Sequence, residues 1–155
     1  MQKWGQTDKH WPDLPYHFLI APDGRIFEAR PLQYEPESNT KYDLQGHIGV
    51  ELMGNFEEQR VSQAQLTSCV KLVAWLCQQL QIDQSRIAGH KDRAKGQTDC
   101  PGRDLYRYLQ DGQLRAWVAK IANGEPPDIR LLPPLPNGPT NLIGPTAGPS
   151  PTGSK

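Results

Sequence analysis

IAGHKDRAKGQTDCPGRDL, residues 87–105, is the stretch on which the reading of this chain turns. A short apolar run over residues 86–89 reads as a strand and delivers His90 at its end. A polar loop follows, and Cys100 stands directly before Pro101. Proline suits the first position of a helix because the N–H it lacks would be unpaired there anyway, so a helix is predicted from residue 101. Imidazole and thiolate are both good zinc ligands. A histidine at a strand end and a cysteine at a helix N-terminus can be aimed at one point, and the helix end favours the thiolate, the form that binds metal. Two ligands do not complete a catalytic zinc site, which takes three protein donors and keeps a fourth position open.

Upstream, GHIGVELMG (residues 46–54) has strand periodicity. Ile48, Val50 and Leu52 share one face, while His47, Gly49, Glu51 and Met53 share the other. YHFLIA (16–21) and RIFEA (25–29) flank Pro22-Asp23-Gly24 and predict a β-hairpin: proline presets φ, the aspartate bonds the local backbone and glycine relieves the turn. Tyr16 and His17 are neighbours on a strand and point to opposite faces, so if Tyr16 faces the site His17 is a buried, hydrogen-bonded residue. Residues 31–45 are polar and turn-rich and read as a loop.

The strongest helix is predicted over 62–80, with Ser62 and Gln65 as a capping box and Val61 and Leu66 as its hydrophobic staple. Leu66, Cys69, Val70, Val73, Leu76, Cys77 and Leu80 fall on one stripe, which is core. In the helix after Pro101 the apolar side is Leu105, Tyr108 and Leu109, and Gly112 separates it from a last helical turn carrying Leu114, Trp117 and Ile121. Strands alternating with helices predict an α/β fold, a sheet with helices on its faces.

Acidic and basic side chains balance at 17 each and the pI is about 6.9. That gives no basic face for nucleic acid. No apolar run approaches the roughly 18 residues of a membrane span, and residues 1–15 hold no apolar signal core. Three cysteines cannot all pair within one chain, and Cys69 and Cys77 read as buried hydrophobes. Pro, Gly, Asn, Thr and Ser dominate the C-terminal end, so the chain divides into a folded domain over 1–121 and a disordered tail over 122–155. Roughly 120 residues suffice for one modest core, and the domain is expected to be a monomer.

Taken together, WPDLPYHFLIAPDGRIFEAR, GHIGVELMGNF and IAGHKDRAKGQTDCPGRDLY resemble the type 2 N-acetylmuramoyl-L-alanine amidase family, which shares its fold with the peptidoglycan recognition proteins. The three blocks occur in consistent order across residues 4–110. The resemblance implies a mixed central sheet flanked by helices. It also implies a Zn2+ ion held by two histidines and a Cys or Asp, which activates a water to cleave the amide between N-acetylmuramic acid and L-alanine. His90 then corresponds to the second histidine ligand and Cys100 to the third ligand. Tyr16 matches a tyrosine beside the metal, Glu51 a strand acid proposed as general base, and Thr98 a position that helps bind the carbonyl oxygen.

The chemistry is consistent with those roles. A carboxylate or phenol can manage the proton, worth roughly 10²–10⁴ in rate, and a hydroxyl can donate to a developing oxyanion. The implied partners are peptidoglycan or muropeptides, met in the cell envelope, periplasmic or extracellular, with cytoplasmic recycling as the other compartment. The aromatics Trp4, Trp11 and Tyr34 offer flat faces of the kind that suit sugar rings.

The departure from the family pattern is at the start. Its first zinc ligand lies on an N-terminal strand ending in His-His-Thr or similar, and no such segment occurs here. The first strand is therefore read as missing, with three explanations. The sequence begins downstream of a strand and possible export signal; or the chain is a non-catalytic peptidoglycan-binding module lacking a complete zinc site; or His47 replaces the missing ligand.

Overall fold

A computed structural model describes residues 14–142. The hairpin is present: β1 (Phe18–Ile20) pairs antiparallel with β2 (Ile26–Glu28), with Leu19 opposite Phe27. The 46–54 alternation yields β3 (Val50–Leu52), parallel to β1 with Leu19 opposite Glu51. The sheet is mixed, in the order β2-β1-β3, so among the described residues β3 pairs only with β1. Gly24 earns its place at the turn: its φ is +87°, and an added Cβ would lie 2.9 Å from the Ala64 carbonyl.

Helix α1 (Gln63–Leu80) packs on β1, and its capping box is formed as predicted. The Ser62 hydroxyl accepts the Gln65 N–H at 3.0 Å, and the Gln65 side chain accepts the Ser62 N–H at 3.3 Å. Fully buried Gln65 does more than cap. Its amide donates to the carbonyls of Met53 (2.9 Å) and Ile20 (3.3 Å), tying the helix start to the ends of β3 and β1. Leu66, Cys69, Val70 and Leu76 are buried as the stripe predicts, and Leu72 and Ala74 are buried too. Leu80 is 44% exposed, because α1 ends there with Gln81 in the left-handed conformation as its C-cap.

Residues 86–89 do not form the expected strand. Gln84–Arg86 is a 3-10 turn capped by Asp83, and His90 opens a single helical turn, α2 (His90–Arg93). The Ile87 carbonyl accepts the Arg115 guanidinium (3.1 Å) and the Gly89 N–H is taken by the Asp92 carboxylate (2.8 Å), so side chains occupy the groups a ladder would use.

Nor does the next helix begin at Pro101. Helix α3 (Arg103–Gln110) has Gly102 as N-cap, and the Cys100–Pro101 peptide bond is cis. Gly102 sets the boundary: its φ is +90°, and a Cβ there would lie 2.6 Å from the Phe56 backbone. Gly112 then separates α3 from α4 (Gln113–Ala122), which packs against α1 and α3. The core joins Phe18, Ile20 and Leu52 of the sheet to Leu66, Val70, Leu105, Tyr108, Leu114 and Trp117 of the helices.

Residues 123–142, assigned by composition to a disordered tail, run without regular structure along the domain. Ile129, Leu131 and Leu132 pack on the core, and the carbonyls of this segment accept from Gln63, Arg60, Arg107 and Arg103. Proline removes donors but leaves every carbonyl, and here arginine and glutamine side chains satisfy them. The rest of the expected tail, 143–155, lies outside the described residues.

Candidate functional site

A cavity of about 400 Å³ opens beside β3. Among the described residues β3 pairs on one side only, and the cavity draws lining from both of its faces: Glu51 on one, Val50 and Leu52 on the other. Its deeper wall is apolar, with Cys69, Val73, Leu76 and Ile87. Its polar part gathers Tyr16, Glu51, His90 and Cys100, four of the five residues singled out from sequence.

Each is delivered by a local device. Gly49 lets the Tyr16 ring come close, since a Cβ there would stand 3.2 Å from Tyr16 Cδ1. Glu51 is mid-strand in β3. His90 heads the α2 turn, which Asp92 braces by accepting both the Gly89 N–H and the Tyr106 hydroxyl (2.5 Å). The Lys91 N–H donates to the Cys100 carbonyl at 3.0 Å, fastening the two halves of the 87–105 stretch together.

Thr98 is not part of the lining. Its hydroxyl accepts the Cys100 N–H at 3.1 Å, closing the turn that leads into Cys100. His17 is 1% exposed; its Nδ1 accepts the Gly49 N–H (2.9 Å) and its Nε2–H donates to the Tyr34 carbonyl (2.7 Å). It is buried and bonded as expected, although β1 begins only at Phe18, after both Tyr16 and His17. Tyr34 is 61% exposed, while Trp4 and Trp11 lie outside the described residues.

Burial in this cavity works against charge. It pushes the Glu51 carboxyl up to about 7, and Glu51 Oε2 is a buried oxygen with no partner among the described residues. Burial, then the Glu51 charge, then Cys100, push the Tyr16 phenol well above its usual range. His90 is pulled down by burial, which favours the neutral ring. Cys100 keeps a solvent-exposed flank, yet the protein crowding its sulfur and the nearby Glu51 raise its thiol, with Lys91 opposing. The expected helix-end help to the thiolate does not materialise, because α3 begins beyond Cys100 at Arg103.

The loop read only as polar supplies residues that sequence reasoning passed over. Thr40 and Ser38 place their hydroxyls 2.6 Å and 3.1 Å from His90 Nε2. The Tyr42 ring packs against both His90 (centroids 5.6 Å apart) and His47 (5.7 Å). Nothing in the local pattern of 38–42 marks them, since the partner they share, His90, lies about fifty residues away.

The donor chemistry of His90 and Cys100 suits two positions of a tetrahedral zinc. Among the described residues, no group of three His, Cys, Asp or Glu side chains could hold a metal ion. Among the described residues His47 does not complete the set; its Nδ1 is buried there without a hydrogen-bond partner, and its ring packs edge-on to Tyr42.

A mixed sheet with flanking helices, carrying His90 and Cys100 on one cavity beside a strand acid, defines a class, and the family model agrees. The chain belongs to the N-acetylmuramoyl-L-alanine amidase family (Amidase_2), whose model matches residues 2–103. Peptidoglycan-recognition protein SC2 of Drosophila melanogaster is 30% identical over 118 residues, 76% of this chain and 60% of that protein. The crystal structure of Drosophila peptidoglycan recognition protein SD matches with a TM-score of 0.63 at 25% identity, over 70% of this chain and 63% of that one. N-acetylmuramoyl-L-alanine amidase LysC from Clostridium intestinale matches with a TM-score of 0.58 at 30% identity, over 70% of this chain and 74% of that one. The chain spans about 60% of the length of the first curated relatives it matches. No helix among the described residues is long and apolar enough to cross a membrane.

Proposed function

We propose that this protein binds muropeptides in the cavity beside β3 and hydrolyses the amide between N-acetylmuramic acid and L-alanine, contributing to cell-wall degradation in the envelope or outside the cell. The observation that carries this reading is the meeting of His90, Cys100, Tyr16 and Glu51 on one cavity. A groove that only binds has no need of an imidazole, a thiol and an unpartnered carboxyl together. His90 and Cys100 would hold zinc with one further protein donor from outside the described residues; the ion would supply a Lewis acid and a water acidified to about pKa 7. Glu51, with its carboxyl near 7, takes and returns a proton at Oε2 around neutral pH. Tyr16 stays a phenol and donates from its hydroxyl to the oxygen on which charge develops. The apolar wall lowers the polarity around those groups. The catalytic unit is a monomer.

A second reading, a peptidoglycan-binding module without hydrolysis, is favoured by the absence of a three-donor group among the described residues. One experiment separates them. The chain is purified without added metal, its zinc content measured, and release of L-alanine-terminated peptide from a muramyl peptide followed for wild type and Cys100→Ala. One zinc per chain with hydrolysis, both lost in Cys100→Ala, supports the amidase. Saturable binding with no zinc and no release supports the module. Hydrolysis that survives Cys100→Ala overturns the placement of the site.

A further inference from the structure

We propose that the Ser38–Thr40 hydroxyl pair is a positioning device for His90: it fixes the imidazole as the Nε2–H tautomer and so makes Nδ1 the nitrogen that carries the lone pair. The inference rests on the reading of His90 as a site residue and goes beyond it by assigning which ring nitrogen is available for chemistry.

The geometry is specific. His90 Nε2 has two oxygens around it, Thr40 Oγ1 at 2.6 Å and Ser38 Oγ at 3.1 Å. These oxygens are themselves 2.7 Å apart, and Ser38 Oγ accepts the Thr40 N–H at 3.1 Å, so backbone and side chains hold the pair together. One of the two hydroxyl protons is engaged in the contact between the oxygens. A bare lone pair on Nε2 would then face the lone pairs of at least one of them. An N–H at that position attracts both. The chain from Nε2–H to Thr40 Oγ1, and from the Thr40 hydroxyl to Ser38 Oγ, is the one in which neither oxygen turns its lone pairs on a bare Nε2; the reverse chain satisfies Thr40 but leaves Ser38 Oγ, 3.1 Å away, facing the ring lone pair.

The loop is held for this purpose at more than one point. Lys41 exchanges two hydrogen bonds with the Gln97 side chain, its N–H donating at 2.7 Å and its carbonyl accepting at 3.0 Å, which clasps the loop to the segment between His90 and Cys100. Tyr42 then covers the His90 ring. Residues 40, 41 and 42 thus each engage the His90–Cys100 arm. Histidines that bind metal usually donate their other ring N–H to such an outer partner, which fixes tautomer and ring orientation.

The test is long-range ¹H–¹⁵N correlation of the histidine rings in the metal-free full-length chain at about pH 8, above the usual imidazole pKa. Wild-type His90 is expected to show a pyrrole-type Nε2 and a pyridine-type Nδ1. Thr40→Val, which keeps shape but removes the acceptor, should shift His90 to a mixture of tautomers without moving the thermal midpoint, and Thr40→Ser should restore the wild-type pattern. Should Thr40→Val fail to fold, Ser38→Ala is read instead, with a smaller shift in the same direction expected. A wild-type His90 protonated on Nδ1, or a pattern indifferent to both substitutions, overturns the assignment. The spectrum needs neither zinc nor turnover, so its result stands apart from the hydrolysis experiment.

Discussion

At the scale of single residues, Tyr16 and His17, which lead into β1, serve two ends. Tyr16 faces the cavity, while His17 turns into the protein and joins β1 to the Tyr34 loop. Burial lowers the His17 pKa, the Tyr34 hydrogen bond works the other way, and the Arg30 charge lowers it further. The folded state therefore favours the neutral ring, whose Nδ1 must stay bare to accept from Gly49. The unfolded chain takes up a proton as pH falls below about 6.5, before the folded protein does. The stability His17 contributes is complete above that pH and is lost as pH falls towards the folded pKa. His17→Gln should be less stable than wild type at pH 8 and lose less on going to pH 5.5, as read by denaturant midpoints; parallel pH profiles for the two proteins would refute this role.

At the scale of elements, the α1 start was legible because its determinants are local. Ser62, Gln65, Val61 and Leu66 lie within six residues, and each acts on its neighbours. Ser62→Ala should cost about 1 kcal/mol. Gln65→Ala should cost more than Ser62→Ala, because it also strands the Met53 carbonyl and takes a second donor from Ile20, whose carbonyl keeps only the Met53 N–H. Equal destabilisation in urea titrations would mean that Gln65 acts only as a cap. The 86–89 run was misread for the converse reason. Its apolar composition permits a strand, but Asp92 takes the Gly89 N–H from three residues on, and Arg115, 28 residues away on α4, takes the Ile87 carbonyl once the chain is folded.

At the scale of the whole molecule, fully buried Asp104 organises the side of the domain along which residues 132–133 lie. It accepts the Val61 N–H at 2.8 Å and lies near two arginines, Arg107 at 3.5 Å and Arg60 at 3.9 Å. Those arginines in turn donate to the carbonyls of Pro133 and Leu132, and the Leu132 N–H donates to the Tyr108 hydroxyl. Asp104→Ala should cost on the order of 3–5 kcal/mol, since it leaves partly buried cations unpaired and the Val61 N–H without its acceptor. Truncation after residue 123 should cost on the order of 2–4 kcal/mol through re-exposure of Ile129, Leu131 and Leu132. A truncated chain that melts at the wild-type midpoint would show that the segment adds nothing to the fold.

The sequence by itself determined the hairpin, the strand that carries Glu51, the capped α1 helix and the neighbourhood of His90 and Cys100. Each of these rests on spacing within one element or on motif blocks written along the chain. Only the tertiary structure decided that Thr98 closes a turn away from the cavity, that Ser38, Thr40 and Tyr42 enclose His90, and that a proline-rich segment lies along the domain. The last two depend on contacts between residues roughly thirty to seventy positions apart, which no local pattern encodes; the Thr98–Cys100 bond spans two positions, but where that turn sits relative to the cavity is fixed only by packing.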